Sequence, residues 1–228
     1  MARTEYQQRL NELRQDVLYM GEVVQERLRM GLRALEQKDR ELAVEVITRD
    51  AEVNEMYLEL EKDCIELIAL QQPVAGDLRF IASSFKIITD LERIADLATN
   101  LGKYTKQADR DLYPEVDVQG IGDYALDMIE DAMAAYASED VGLCYEVDER
   151  DDELDSRCED ASEVVIRELI AAEITISDPI VETEIERMLT DVSRLLLTIR
   201  DLERVGDHAV NIAARTLYMV ENSDELLF

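Results

Sequence analysis

"DLERIADLATNL" (90–101) and "DLERVGDHAVNI" (201–212) decide how this chain is read. Asp90, Leu91, Glu92, Arg93, Asp96, Ala98 and Asn100 recur as Asp201, Leu202, Glu203, Arg204, Asp207, Ala209 and Asn211, at a constant offset of 111. Ile94/Val205 and Leu101/Ile212 are apolar swaps. Within each copy Leu91, Ile94, Ala98 and Leu101 (or Leu202, Val205, Ala209 and Ile212) step by three and four, which is one face of a helix. Glu92, Asp96 and Asn100, and likewise Glu203, Asp207 and Asn211, step by four on a nearly opposite face. If the apolar stripe is core, the acids point outward.

The duplication extends beyond these helices. "RDAEVNE" begins at Arg49 and "RDDELDS" at Arg150, an offset of 101 rather than 111. The second half therefore carries ten more residues between its two motifs, as an internal duplication with longer helices would. Two antiparallel helices joined by a tight turn pair residues equidistant from that turn. The midpoint of 50 and 96, and of 54 and 92, is Pro73; that of 151 and 207, and of 155 and 203, is Pro179. The extra ten residues add five to each helix and leave the pairing unchanged. The spacing thus predicts Asp50 and Asn54 beside Asp96 and Glu92, and Asp151 and Asp155 beside Asp207 and Glu203.

Only three prolines, Pro73, Pro114 and Pro179, punctuate the chain. Helical periodicity fills most of the rest. Tyr6, Leu10, Leu13, Val17, Met20, Val24, Leu28 and Leu35 trace one buried face of a long helix. The fold class expected is all-α, with six long helices near 3–36, 39–71, 75–107, 117–137, 139–172 and 179–220. "QADRDLYPEVDVQGIG" (107–122) is the least regular stretch and divides the chain. Residues 1–110 form a first three-helix repeat and 114–228 a second, pseudo-symmetric one.

Across its 228 residues the chain has 53 acidic and 24 basic residues, a formal charge of −29. Phosphate would be repelled, so nucleic acid is not an expected partner; an anionic membrane surface is excluded on the same ground. Such a balance is that of a salt-adapted (halophilic) protein, because at 1 M salt the Debye length falls to about 3 Å and self-repulsion is screened. An ordinary acidic protein is the alternative. Cys64, Cys144 and Cys158 are odd in number and lack CxxC spacing, as expected of reduced core thiols in the cytoplasm. The opening "MARTEYQQRLNELRQD" lacks the apolar segment of a secretory signal. No apolar run approaches the ~18 residues of a membrane span, so no direct membrane insertion is expected.

An acid pair four residues apart is weak evidence here, because chance alone yields about a dozen in so acidic a chain. The specific signal is that each duplicated pair meets a second pair from the neighbouring helix. Carboxylates gathered in this way raise one another's pKa, and a cation removes that penalty. Asp50, Asn54, Glu92 and Asp96 form one candidate metal site; Asp151, Asp155, Glu203 and Asp207 form the other. Oxygen donors suit Mg²⁺, Mn²⁺, Ca²⁺ or iron, and the divalent ions expected are Mg, Mn, Fe or Zn. A solvated acidic face is the competing reading. Arg93 and Arg204 pair with neighbouring acids or bind an anion such as phosphate. His208, the single histidine, is expected to be an outer contact rather than a ligand.

At this point the residues resemble a known family. "DLERIAD" and "DLERVGDHAVNI", each preceded by an RDxEL/VD/N-type helix, together with "PVAGDLRFIASSFKIITDLERIAD" (73–96), are similar to the PhoU family of phosphate-transport accessory proteins. The resemblance covers essentially the whole chain. It implies two similar three-helix bundles, with metal ions or multinuclear clusters at E(D)xxxD motifs, here Glu92/Asp96 and Glu203/Asp207. It also implies a non-enzymatic negative regulator of the phosphate-specific ABC transporter and of phosphate homeostasis. The partners implied are the transporter's ATPase subunit and a phosphate sensor kinase where one is present. A homodimer is the expected assembly, cytoplasmic and peripheral to the membrane through the transporter. Two departures fall in the first repeat: Asn54 stands where an acid is expected, and Ala95 replaces the glycine kept as Gly206.

Two other classes compete. A di-iron carboxylate enzyme needs Glu-x-x-His motifs facing into a four-helix bundle, which one histidine and outward acids do not supply. A purely structural acidic scaffold leaves the duplicated motifs without a role. No nucleophile–base constellation and no phosphate-cradling P-loop is present, so hydrolysis of nucleotide by this chain is not expected.

Overall fold

The computed structural model describes residues 3–70, 73–107, 116–173 and 182–227, and every regular element among them is an α-helix. The order is α1 (Arg3–Gln37), α2 (Arg40–Thr48), α3 (Asp50–Leu70), α4 (Ala75–Gln107), α5 (Val118–Ser138), α6 (Val141–Glu173) and α7 (Glu182–Glu221). This is the six-helix plan of the sequence with one refinement: the predicted second helix is interrupted at Arg49. The expected breaks at Pro114 and Pro179, the start of the last helix at 179 and the boundary between the repeats lie outside the described residues.

Local chemistry sets the ends. Asp39 caps α2 by accepting the Glu41 and Leu42 amides, each at 2.9 Å, and Asp117 caps α5 by accepting the Gly120 amide at 2.9 Å. Glu139 closes α5 in the left-handed conformation, φ 57°. The break at Arg49 has a tertiary cause. The buried guanidinium of Arg27, on α1, bonds the Arg49 carbonyl and holds Glu52 at 3.0 Å. That carbonyl also takes the Glu52 amide at 3.1 Å, a tightened i→i+3 bond, so the ladder is interrupted there. Asp50 and Glu52 thereby sit in the first turn of a new helix, where its dipole favours negative charge.

In the first half α1 packs with α2, α3 and α4, where α2 and α3 are the two pieces of the interrupted helix, and in the second half α5 packs with α6 and α7. The halves dock through α4 on α7 and α1 on α5. Arg29 to Glu130 and Arg14 to Glu139 pair α1 with α5 in antiparallel register. Asn100 to Asp201 and His208 to Asp90 do the same for α4 and α7. α1, α4, α7 and α5 thus close into a central four-helix bundle, with α2 and α3 packed outside it in the first half and α6 in the second.

The α1 stripe from Tyr6 to Leu28 is buried along its length, as are both apolar stripes of the duplicated motif. Full burial of such a side chain contributes about 1.5–3 kcal/mol, so this bundle core dominates stability. All three cysteines are buried and free; burial pushes Cys64 and Cys158 up to about 12, leaving inert thiols. Among the described residues no helix is long and apolar enough to cross a membrane.

Candidate functional site

The helix pairing read from the midpoints is present. Thr99, one turn beyond Asp96, donates to Asp50 Oδ1 at 2.9 Å, which joins α3 to α4 at the expected level. In the second half the Cys158 thiol lies 3.9 Å from the Ile199 carbonyl, joining α6 to α7 in the matching register. Glu92, Asp96, Glu203 and Asp207 lie on the outward side of their helices, partly or fully exposed.

Each set gathers enough charge to perturb itself. Burial, then Asp96 and Asp50, raise the Glu92 carboxyl, while Arg93 and His208 offset part of this. Burial and Asp50 raise Asp96. In the second set burial raises Glu203, with Asp155 and Asp207 adding to it. Burial and Asp155 raise Asp207. Asp151 is affected most: burial, then Asp155 and Asp207, push it up to about 7.

The two sets differ in how the carboxylate on the flanking helix is satisfied. Asp50 accepts from Thr99 on one oxygen and from Asn54 Nδ2 at 3.2 Å on the other. The equivalent positions in the second half are Val210 and Asp155, so neither donor exists there. Asp151 Oδ1 is buried with no hydrogen-bond partner. It also sits mid-helix in α6 rather than in a first turn. Gly206 explains its burial: a Cβ there would stand 3.2 Å from Asp151 Oδ1 and 2.2 Å from a methyl of the buried Leu154. The helices approach more closely at Gly206 than a side chain allows, and the orphan oxygen is enclosed.

Among the described residues no group of three or more His, Cys, Asp or Glu side chains is arranged to hold a metal ion. The donor chemistry separates the sets nonetheless. Asp50 is already satisfied by protein donors, whereas Asp151 brings a buried, unpartnered oxygen beside the carboxylates of Asp155 and Asp207.

The structure also assigns residues that the motif reading left without a role. Asp90 and Asp201, the first residues of the two motifs, are buried between the halves. His208 Nδ1 lies 2.9 Å from Asp90 Oδ1, so the histidine is an inter-repeat core contact and not the outer contact expected. Asp201 Oδ2 accepts from Tyr104 Oη at 2.8 Å and Asn100 Nδ2 at 3.2 Å, with Arg204 at 3.7 Å from Oδ1. Asn100 thus serves the interface, and Arg204 follows the structural reading. The signal was in the sequence: Thr198, Asp201, Val205, His208 and Ile212 form one inward stripe, all buried.

Comparison with known proteins agrees with this architecture. The family model described as PhoU domain matches residues 17–105 and again 118–216. The phosphate-specific transport system accessory protein PhoU homolog of Pseudomonas putida is 34% identical over 218 residues, covering 94% of this chain and 80% of that one. The protein of the same description from Clostridium acetobutylicum is 30% identical over 223 residues, covering 96% of each. The crystal structure of the phosphate transport system regulatory protein PhoU from Streptococcus pneumoniae superposes with a TM-score of 0.84 at 26% identity, covering 96% of this chain and 98% of that one.

Proposed function

The chain belongs to the PhoU family, and from that premise we propose that it is an accessory, non-enzymatic regulator of a phosphate transport system that restrains uptake when phosphate is sufficient. The observation that carries this reading is the match of both repeats over nearly the full chain to relatives named as accessory proteins of a phosphate-specific transport system. It acts by binding, in the cytoplasm, to the ATPase subunit of the transporter, with a sensor kinase as second partner where one exists, and assembles as a homodimer. A deletion strain tests the role directly: phosphate uptake should lose its restraint under phosphate excess. Normal uptake under both starvation and excess would overturn it.

Metal binding belongs to the same proposal. Asp151, Asp155, Glu203 and Asp207 would hold a divalent ion, whose chemistry there is charge neutralisation that fixes α6 against α7. The first set, Asp50, Asn54, Glu92 and Asp96, has one fewer carboxylate and a satisfied Asp50, so it should bind more weakly. Titration with Mn²⁺ or Mg²⁺ at fixed salt checks the ranking. The tighter step should vanish in Asp207→Asn and survive in Asp96→Asn; the reverse would show that charge count does not rank the sites.

A further inference from the structure

One stretch of the seam between the repeats gathers cations in a chain whose net charge is −29. Asp201 fixes the register of antiparallel α4 and α7 near the end of α4, where its Oδ2 accepts from Tyr104 and Asn100. Arg204 lies 3.7 Å and Arg200 4.0 Å from its Oδ1, and Lys103 Nζ donates to Asn100 Oδ1 at 3.1 Å. Beside this cluster a cleft of about 380 Å³ opens between the two helices, with Tyr104, Gln107, Leu189, Ser193, Arg194 and Leu197 in its lining. Sites for small organic ligands have volumes of about 300–1,000 Å³. Ser193, Leu197, Arg200 and Arg204 step by three and four along one face of α7, so the cleft leads to the cations.

The charges do not cancel there. Arg194 is held by Asp191 at 2.5 Å, and Arg204 offsets the buried Asp201. Lys106, in the last turn of α4, complements that helix's dipole. Glu203, Asp207 and Asp96 lie within two turns but serve the flanking helices: burial, then Asp155, raise Glu203 and Asp207, and burial, then Asp50, raise Asp96. Among the described residues, Arg200 and Lys103 are left with no hydrogen-bonded carboxylate, and the Arg200 side chain is 62% exposed. The duplication does not account for them. At the offset of 111 the counterpart of Arg200 is Thr89, that of Lys103 is Ala214 and that of Leu197 is Lys86. Both cations and one apolar wall of the cleft therefore belong to one side of the seam only.

We propose that this cleft binds one phosphate monoester that carries a flat ring, a ligand of nucleoside monophosphate size, with its phosphoryl group between Arg200 and Lys103 and its ring against Leu189, Leu197 and Tyr104. Charge selects the head group. Two cations without carboxylates match a phosphomonoester, whose charge near pH 7 is about −1.5 to −2, better than the single charge of a carboxylate. The walls select the body. Leu189 and Leu197, 45% and 38% exposed, stand two turns apart on α7, and the Tyr104 ring comes from α4. The Ser193 hydroxyl and the Gln107 amide offer polar contacts to the ring's edge. A polyanion laid along this seam would run on to Glu203, Asp207 and Asp96 and be repelled, whereas a single phosphoryl group stops short of them.

The test titrates the full chain with adenosine 5′-monophosphate by calorimetry, in chelator and in about 0.3 M salt so that diffuse electrostatics are screened. Adenosine and inorganic phosphate are titrated separately. The nucleotide should bind once per chain and about tenfold or more tighter than either fragment. Arg200→Gln with Lys103→Gln should reduce its affinity to that of adenosine, and Leu189→Gln with Leu197→Gln to that of inorganic phosphate. Arg93→Gln, an exposed cation outside the cleft, should bind as the parent does. Thermal melts establish that each variant is folded. Absence of nucleotide binding, or binding that neither pair of substitutions weakens, would overturn the proposal. Inorganic phosphate binding as tightly as the nucleotide would also overturn it, because the cleft would then contribute nothing.

Discussion

Asp50 and Asp151 occupy equivalent positions in two copies of one repeat and have opposite surroundings. Thr99 and Asn54 donate to Asp50; Val210 and Asp155 stand where those donors would be. Burial and like charge therefore fall on Asp151 uncompensated, and it is pushed up to about 7. An unfolded aspartate titrates near 3.9. Between these two values the folded chain holds a proton that the unfolded chain has released, so this residue's contribution to stability falls as pH rises from about 4 to about 7. In metal-free protein, Asp151→Asn should be more stable than the parent at pH 8, with the gap narrowing toward pH 5. Urea midpoints in chelator at the two pH values measure this. A gap of the same size at both would show that Asp151 does not titrate in this range.

At the scale of elements, the halves differ where the first is broken. Arg27 reaches from α1 to the Arg49 carbonyl and ends α2, while α6 runs unbroken past Arg150 and Asp151. Arg150 instead turns to Asp131 and stacks on the Tyr124 ring, 4.6 Å from its centroid. The break gives Asp50 a helix N-terminus that Asp151 lacks. Arg27→Met keeps much of the side chain's bulk and removes its donors. It should cost about 1–3 kcal/mol, the penalty for charged hydrogen bonds lost from a buried position, and amide exchange around 49–53 should change as the two segments join into one ladder. Unaltered exchange there would mean that the break does not come from Arg27.

Across the whole molecule, the halves meet at α4 and α7 through a largely apolar core that includes buried polar groups bonded from one half to the other. Among the described residues, Asp90 bonds His208, and Asp201 bonds Tyr104 and Asn100. Burial and the bond to Asp201 push Tyr104 up to about 12, so it remains a donor at any physiological pH. His208→Leu leaves Asp90 buried without its partner and should cost about 3 kcal/mol. Adding Asp90→Leu removes the stranded carboxylate and should recover much of that loss. Denaturant midpoints of the two variants check this, and a double variant no better than the single one would show that the pair is not coupled.

By itself the sequence determined the helices, the duplication and the helix register, because a 3.6-residue period and two constant offsets are properties of local spacing. Pro73 and the motif midpoints were enough to set Asp50 beside Asp96. The interruption at Arg49 was not legible, since its cause lies on another helix, twenty-two residues earlier. Nor was the inequality of the two acid sets fully visible. Asn54 could be counted, but the donation from Thr99 and the enclosure of Asp151 over Gly206 depend on distances between helices. His208 was misplaced for a related reason: its step from Asp207 is local, whereas its partner, Asp90, is supplied only when the two repeats dock. Periodicity fixes which way a side chain points along its own helix; what it meets there is decided by packing, and packing made one copy of the motif satisfied and left the other with a buried, unpartnered oxygen.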